Sequence, residues 1–236
     1  MLWQFDAVLF DLDGVLTPTS DLHVRAWRET LAPVCDAAGV RAYTDADYFE
    51  HVDGRPRYDG VRALLDSRGI ALPQGRPQDA PGAATVCAIG NAKNARFEGI
   101  LREEGVTPFP GSLRLLDELA VTTTKLAVVS SSRNAAAVLR AAGLAGRFPV
   151  VVDGALAARE NLAGKPAPDT FLLAAHLLGA PPARTMVVED ATSGVRAARA
   201  GAFARIVGVD RGVGALALLT AGADVVVRDL DELVAA

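Results

Sequence analysis

Apolar residues fall along this chain in two alternating rhythms. Short, mostly apolar runs stand at residues 7–10, 126–129, 150–152, 186–188, 204–207 and 225–227. They are rich in β-branched residues, and most end at a polar residue or glycine, which predicts buried strands. Between them, stretches such as 134–142, 168–178 and 193–200 repeat apolar residues at helical spacing. Strand and helix in alternation, with strands apolar along their whole length, predict an α/β fold: a parallel sheet covered by helices on both faces.

The stretch 19–100 breaks this rhythm. It has few β-branched runs and reads as helices at 22–32, 57–68 and 92–102, with a loop rich in Pro, Gly and Gln at 72–82. The organisation predicted is a discontinuous α/β core of residues 1–18 and 101–236, with a small helical domain of residues 19–100 inserted after the first strand. Gly111 and Gly143 read as turn or helix-end glycines.

Charge and composition narrow the partners. The net charge is −4 and the basic residues are scattered singly, so neither nucleic acid nor a membrane surface is expected as a partner. No stretch of about 18 apolar residues exists, and the N-terminus lacks the basic and apolar regions of a secretory signal. Cys35 and Cys87 are far apart and read as reduced core residues. A cytoplasmic, monomeric protein is expected.

In open α/β sheets, ligands bind at the carboxyl ends of the strands. The first strand runs into Asp11-Leu12-Asp13-Gly14, a second into Ser130-Ser131-Ser132, and a third into Glu189-Asp190, while Lys165 precedes a core helix. Asp11 and Asp13 lie two apart and share a side of an extended chain. Two such carboxylates repel each other unless a cation sits between them or one holds a proton. Four acids at one rim, all oxygen donors, suit Mg²⁺.

The order of these motifs resembles the haloacid dehalogenase superfamily of aspartyl phosphotransferases. Asp11-Leu12-Asp13-Gly14-Val15-Leu16-Thr17 matches its first signature, Ser130 its second, Lys165 in Gly164-Lys165-Pro166-Ala167-Pro168-Asp169 its third, and Glu189-Asp190 followed by Gly194 its fourth. Four motifs in order are far more specific than one. The resemblance implies a Rossmann-like core and a set of roles. Asp11 would be the nucleophile, Asp13 the general acid and base, and Ser130 and Lys165 would hold the transferring phosphate. Asp11, Asp13 (through its main-chain carbonyl), Glu189 and Asp190 would hold Mg²⁺.

Within the superfamily, the inserted domain resembles the β-phosphoglucomutase-like subfamily. His23 follows Asp13 by ten residues, as that subfamily's cap histidine does, and Trp27 falls where it places an aromatic near the sugar. Arg57 aligns with a phosphate-gripping arginine, with Arg55 as a competitor. Lys93-Asn94 aligns with a Lys-Asn pair, and Ser132-Arg133-Asn134 with a phosphate-binding run. Pro18 departs from the pattern, standing where the subfamily carries an acid. Lysine usage bears on two of these positions: Arg supplies 21 of 24 basic residues, yet Lys stands at 93 and 165, where a compact ammonium is not interchangeable with a guanidinium.

Each residue also has a plainer reading. Asp-x-Asp and Glu189-Asp190 could cap turns or helices, His23 and Trp27 could be packing residues, and Arg57 a solvated helix start. His51 and His176 read as structural, and the His and Cys residues form no zinc pattern. The resemblance implies conversion of β-D-glucose 1-phosphate to glucose 6-phosphate through the 1,6-bisphosphate. The alternative is a phosphatase acting on a sugar phosphate or similar small phosphomonoester.

Overall fold

The computed structural model describes residues 5–53 and 55–234. Six apolar runs form strands: β1 (Ala7–Phe10), β2 (Lys125–Val129), β3 (Val150–Val152), β4 (Thr185–Glu189), β5 (Arg205–Val209) and β6 (Val225–Val227). All pair in parallel, in the order β3–β2–β1–β4–β5–β6. Every residue of β1 is fully buried, which is why these strands read as continuous apolar runs rather than alternating ones. The chain lays β2 and β3 on one side of β1 and β4 to β6 on the other. The order therefore reverses between β1 and β4, where an open sheet leaves a crevice at its carboxyl edge.

Among the described residues, ten α-helices accompany the strands: α1 (Thr19–Ala37), α2 (Asp45–Asp47), α3 (Arg57–Ser67), α4 (Val86–Glu104), α5 (Pro110–Ala120), α6 (Ala135–Ala141), α7 (Gly154–Arg159), α8 (Asp169–Leu178), α9 (Thr192–Ala200) and α10 (Ala215–Ala221). The chain divides into two compact units, residues 1–19 with 106–236 and residues 20–105; residues 1–4 and 235–236, at the ends of the predicted core, lie outside the described residues. In the α/β unit, Phe171 and Ala174 of α8 and Val195 and Ala198 of α9 pack with Leu9, Ala127 and Val187 of the sheet. In the helical unit, Trp27, Leu31 and Cys35, four residues apart along α1, bury one stripe against Val61, Leu64 and Leu65 of α3 and Val86 and Ile89 of α4.

Three differences from the sequence reading have local causes. Helix α1 continues past 32 through Pro33, a residue that usually ends helices, because Leu31 and Cys35 on either side are both fully buried. Helix α4 begins at Val86 rather than 92. Thr85 caps it by accepting the Ala88 N–H at 3.1 Å and donates to Asp79 at 2.7 Å. The β-branched start of α4 hides this helix from propensity, but Val86 and Ile89 are core. The same helix runs to Glu104 and ends at Gly105 with φ +67°, so the second division of the chain falls at 105, beyond the expected 100.

Gly111 refines an expectation. It lies at a helix end, but in the first turn of α5 and not at a helix C-terminus. A Cβ there would lie 2.5 Å from the Asp229 carboxylate, whose Oδ2 accepts the Gly111 N–H at 3.2 Å. Gly143, with φ +68°, does end α6 as expected.

Candidate active site

Asp11 directly follows β1, and its N–H donates to the Val188 carbonyl at 2.9 Å. The β1–β4 pairing therefore extends one residue past the strand and holds the Asp11 backbone. Its buried carboxylate meets Lys165, whose Nζ donates to Asp11 Oδ1 at 2.5 Å, Glu189 Oε2 at 2.9 Å and the Val129 carbonyl at 3.3 Å. Burial alone would push the Lys165 ammonium down. The charges of Asp11 and Glu189 and their hydrogen bonds outweigh it and raise the group above its ordinary value. Lys165 is therefore a charged donor at neutral pH, lying across the ends of β1, β2 and β4.

Asp13 is oriented by two hydroxyls. Thr19 Oγ1 donates to Asp13 Oδ1 at 2.5 Å, and Ser130 Oγ to Oδ2 at 3.3 Å. Thr17 and Thr19 are fully buried and hydrogen-bonded to each other at 2.8 Å. Sequence reasoning missed Thr19, which has no motif spacing and sits at a helix start where a threonine reads as a cap. Ser130 also accepts the Ser132 N–H at 3.1 Å, and Ser132 Oγ accepts the Asn134 N–H at 3.1 Å. Ser132, Arg133 and Asn134 thus form the tight run from β2 into α6, with Arg133 exposed and Asn134 buried. Asp190 follows β4 and is half-buried.

Two of the four acids expected to hold a metal have side-chain partners here. Among the described residues, no three His, Cys, Asp or Glu side chains form a metal-binding group. Glu189 is turned to Lys165, and its carboxylate fills space that Gly194 leaves open. The Asp13 carboxylate is turned to Thr19 and Ser130. The Asp11 and Asp190 side chains and the Asp13 main-chain carbonyl are all oxygen donors at this edge of the sheet. That set fits Mg²⁺, which binds few carboxylates and keeps its waters.

The helical unit carries its own cluster. His23 and Trp27 lie one turn apart on α1, and Lys93 and Phe97 one turn apart on α4. The buried Lys93 ammonium is hydrogen-bonded to His23 Nδ1 and lies 4.9 Å from the Trp27 ring and 5.0 Å from the Phe97 ring. His23 stacks on Phe97 at 4.1 Å with planes 9° apart. An ammonium only donates, so a protonated Lys93 takes His23 Nδ1 as its acceptor, and the two rings lie where cation–π attraction would hold that charge. Arg57, at the start of α3, donates to Asn94 Oδ1 of α4 at 2.5 Å. Tyr58 donates to Asn91 at 2.9 Å, and its ring passes so close to Gly90 that a Cβ there would lie 2.8 Å away. Of the residues singled out in this unit, His23, Trp27 and Lys93 come together, and Arg57 meets Asn94.

A family model described as haloacid dehalogenase-like hydrolase matches residues 5–201. The chain is 46% identical to a β-phosphoglucomutase of Mycobacterium bovis, over 96% of this chain and 90% of that one. It is 31% identical to a phosphorylated carbohydrates phosphatase of Thermotoga maritima, over 94% of each. The crystal structure of CbbY from Rhodobacter sphaeroides in complex with phosphate superposes with a TM-score of 0.74 at 28% identity, covering 97% of this chain and 96% of that one. With the acids and the lysine of four separated motifs at the carboxyl edge of one parallel sheet, this chain belongs to the haloacid dehalogenase-like hydrolase family, in its β-phosphoglucomutase-like branch, and is an enzyme of that phosphotransferase or phosphatase kind.

Proposed function

We propose that this enzyme is a Mg²⁺-dependent β-phosphoglucomutase that works through a phospho-aspartate at Asp11. The observation that carries the chemistry is the buried Asp11–Lys165–Glu189 arrangement beside an Asp13 carboxylate held by two hydroxyls. The choice of a mutase is supported by the 46% identity to a β-phosphoglucomutase over nearly the whole of both chains.

An Asp11 oxygen attacks phosphorus and the phosphorus–oxygen bond to the sugar breaks. Asp13 gives its proton to the departing oxygen, leaving the phosphoryl group on Asp11. In the reverse transfer, Asp13 takes the proton of the accepting hydroxyl as that oxygen attacks the aspartyl phosphate. Lys165 offsets the negative charge of carboxylate approaching phosphate, and Ser130 and the run Ser132-Arg133-Asn134 bind phosphate oxygens. Asp11, Asp190 and the Asp13 carbonyl would hold Mg²⁺, which supplies Lewis-acid neutralisation of the phosphoryl oxygens. Phospho-Asp11 donates to the 6-hydroxyl of β-glucose 1-phosphate; the 1-phosphate of the resulting bisphosphate then returns to Asp11, and glucose 6-phosphate leaves. This cycle needs a second phosphate grip, for which Arg57 and Lys93 are suited, with His23 and Trp27 lining the sugar.

A phosphatase using the same core chemistry, with water as acceptor, is the second reading; the similarity to a phosphorylated carbohydrates phosphatase favours it. Incubation with Mg²⁺, β-glucose 1-phosphate and a trace of the 1,6-bisphosphate separates the two. Glucose 6-phosphate as the main product supports the mutase. Mainly inorganic phosphate, across several sugar phosphates, rejects it. A monomer working in the cytoplasm is the simplest setting for this reading, and no described helix is long and apolar enough to cross a membrane.

A further inference from the structure

Arg211 lies outside every motif discussed above, on the loop that follows β5. All three nitrogens of its guanidinium are engaged. Nε donates to the Gly14 carbonyl at 2.9 Å, one terminal nitrogen to the Arg228 carbonyl at 2.8 Å, and the other to Asp229 Oδ1 at 3.2 Å. Its flat face covers the Phe109 ring, with the central carbon 3.7 Å from the ring centroid. Phe109 in turn donates its N–H to the Leu16 carbonyl at 3.0 Å.

Gly14 and Leu16 belong to the tight turn directly after Asp13. Gly14 has φ +87°. Its N–H donates to the Thr17 carbonyl at 2.8 Å, and the N–H groups of Leu16 and Thr17 converge on the Leu12 carbonyl at 3.0 and 3.1 Å. These bonds close the turn internally. The Gly14 carbonyl, next in the chain to Asp13, is taken from outside by Arg211. The support behind Arg211 is itself held: the other oxygen of Asp229 accepts the N–H of Gly111, where only a glycine leaves room.

This differs from Arg114 and Arg147 of the α/β unit, which each pair with one carboxylate, Asp231 and Asp117, with side chains 53% and 33% exposed, an arrangement worth little. Arg211 is 22% exposed, and two of its three hydrogen bonds go to main-chain carbonyls. A planar fork with a stacking face can serve three acceptors and a ring together; a lysine ammonium cannot.

We propose that Arg211 is a positioning residue for Asp13: it clamps the turn after the catalytic strand so that the Asp13 carboxylate keeps its alignment with Thr19 and Ser130. The inference rests on the acid–base role of Asp13 given above. It acts through the turn and not on substrate, so its loss is felt where proton delivery limits the rate.

Two measurements on Arg211→Gln, with Arg211→Lys as a milder second variant, test this. In hydrogen exchange, the amides of residues 12–17 exchange faster in Arg211→Gln while those of β1 and β2 stay as in wild type. In single-turnover phosphoryl transfer, Arg211→Gln slows transfer from a sugar phosphate by about tenfold or more, since its alkoxide must be protonated as it leaves. Transfer from p-nitrophenyl phosphate, whose leaving group needs no proton, changes by less than about threefold. Arg211→Lys falls between wild type and Arg211→Gln in both. Equal loss on the two substrates, or unchanged exchange of the turn amides, overturns the proposal. A wild-type protein inert towards sugar phosphates refutes the mutase and phosphatase readings instead, and the exchange rates still decide by themselves whether Arg211 holds the turn.

Discussion

Gly194 leaves the space that the Glu189 carboxylate occupies: a Cβ at position 194 would lie 2.1 Å from Glu189 Cδ. Glu189 is thereby free to hold Lys165 against Asp11. A bare position in the first turn of α9 thus sets the place of a charge at the end of β1.

Gly194→Ala is therefore expected to act on catalysis more than on folding. The added methyl pushes Glu189 away from Lys165 and loosens the ammonium at Asp11. We expect kcat to fall by about a hundredfold, the scale seen when an oriented charge-stabilising group is removed, with a near-wild-type circular dichroism spectrum. Turnover close to wild type would show that Glu189 does not govern the placement of Lys165.

Lys165→Met leaves the Asp11 and Glu189 carboxylates buried without their shared cation. Breaking a buried ion pair from one side costs about 3–5 kcal/mol, which denaturant unfolding would measure. The sign of the pH effect follows from the raised ammonium. Its contribution is fully present below its ordinary value of 10.5 and is lost only as pH rises through the higher folded value. Wild-type stability drawn from this ammonium should therefore stay level through neutral pH and fall only in alkaline solution; a loss that sets in at neutral pH in wild type would contradict the pairing.

Asp47, in the helical unit, offers an acid-side counterpart. It is almost fully buried and pairs with Arg68 at 2.6 Å, while its Oδ2 accepts the Thr44 N–H at 2.7 Å. Burial raises its carboxyl, but Arg68 and the Thr44 backbone and side chain together bring it down to about 2. A depressed carboxyl stabilises above its ordinary value of 3.8, and that stability is lost as pH falls through about 2. Asp47→Asn is expected to lower stability at neutral pH by about 3 kcal/mol. Thermal unfolding of the two proteins should converge as pH drops across this window; a constant difference would refute the assignment.

Arg57→Ala removes the guanidinium proposed to grip the distal phosphate. Hydrogen bonds to charged groups are worth about 1.5–3 kcal/mol, so KM for the sugar phosphate should rise by about 10- to 100-fold. Steady-state kinetics would show the loss in KM rather than kcat. An unchanged KM would move the role to another residue, Arg55 being the neighbour to try.

The strands were legible because a parallel strand covered on both faces shows its burial in one dimension. Residues 7–10, 150–152 and 225–227 stand where the apolar runs placed them. Helix limits were harder to read. Pro33 and the β-branched Val86 and Ile89 carry the wrong local preference and are helical because of what they pack against.

Read alone, the sequence determined the apolar strands, the inserted helical stretch and the set of acids and lysine proposed to carry the chemistry, since each is a local pattern of burial or a short run at a strand end. Only the tertiary structure decided which of them touch. Lys165 reaches Asp11 across 154 residues of chain, Thr19 rather than a motif residue sits on one oxygen of Asp13, and Arg211 takes the carbonyl of Gly14. The physical reason is the strand order: β4 lies beside β1 although much of the chain separates them, and no spacing along a sequence records which side chains such a crossing brings within a hydrogen bond.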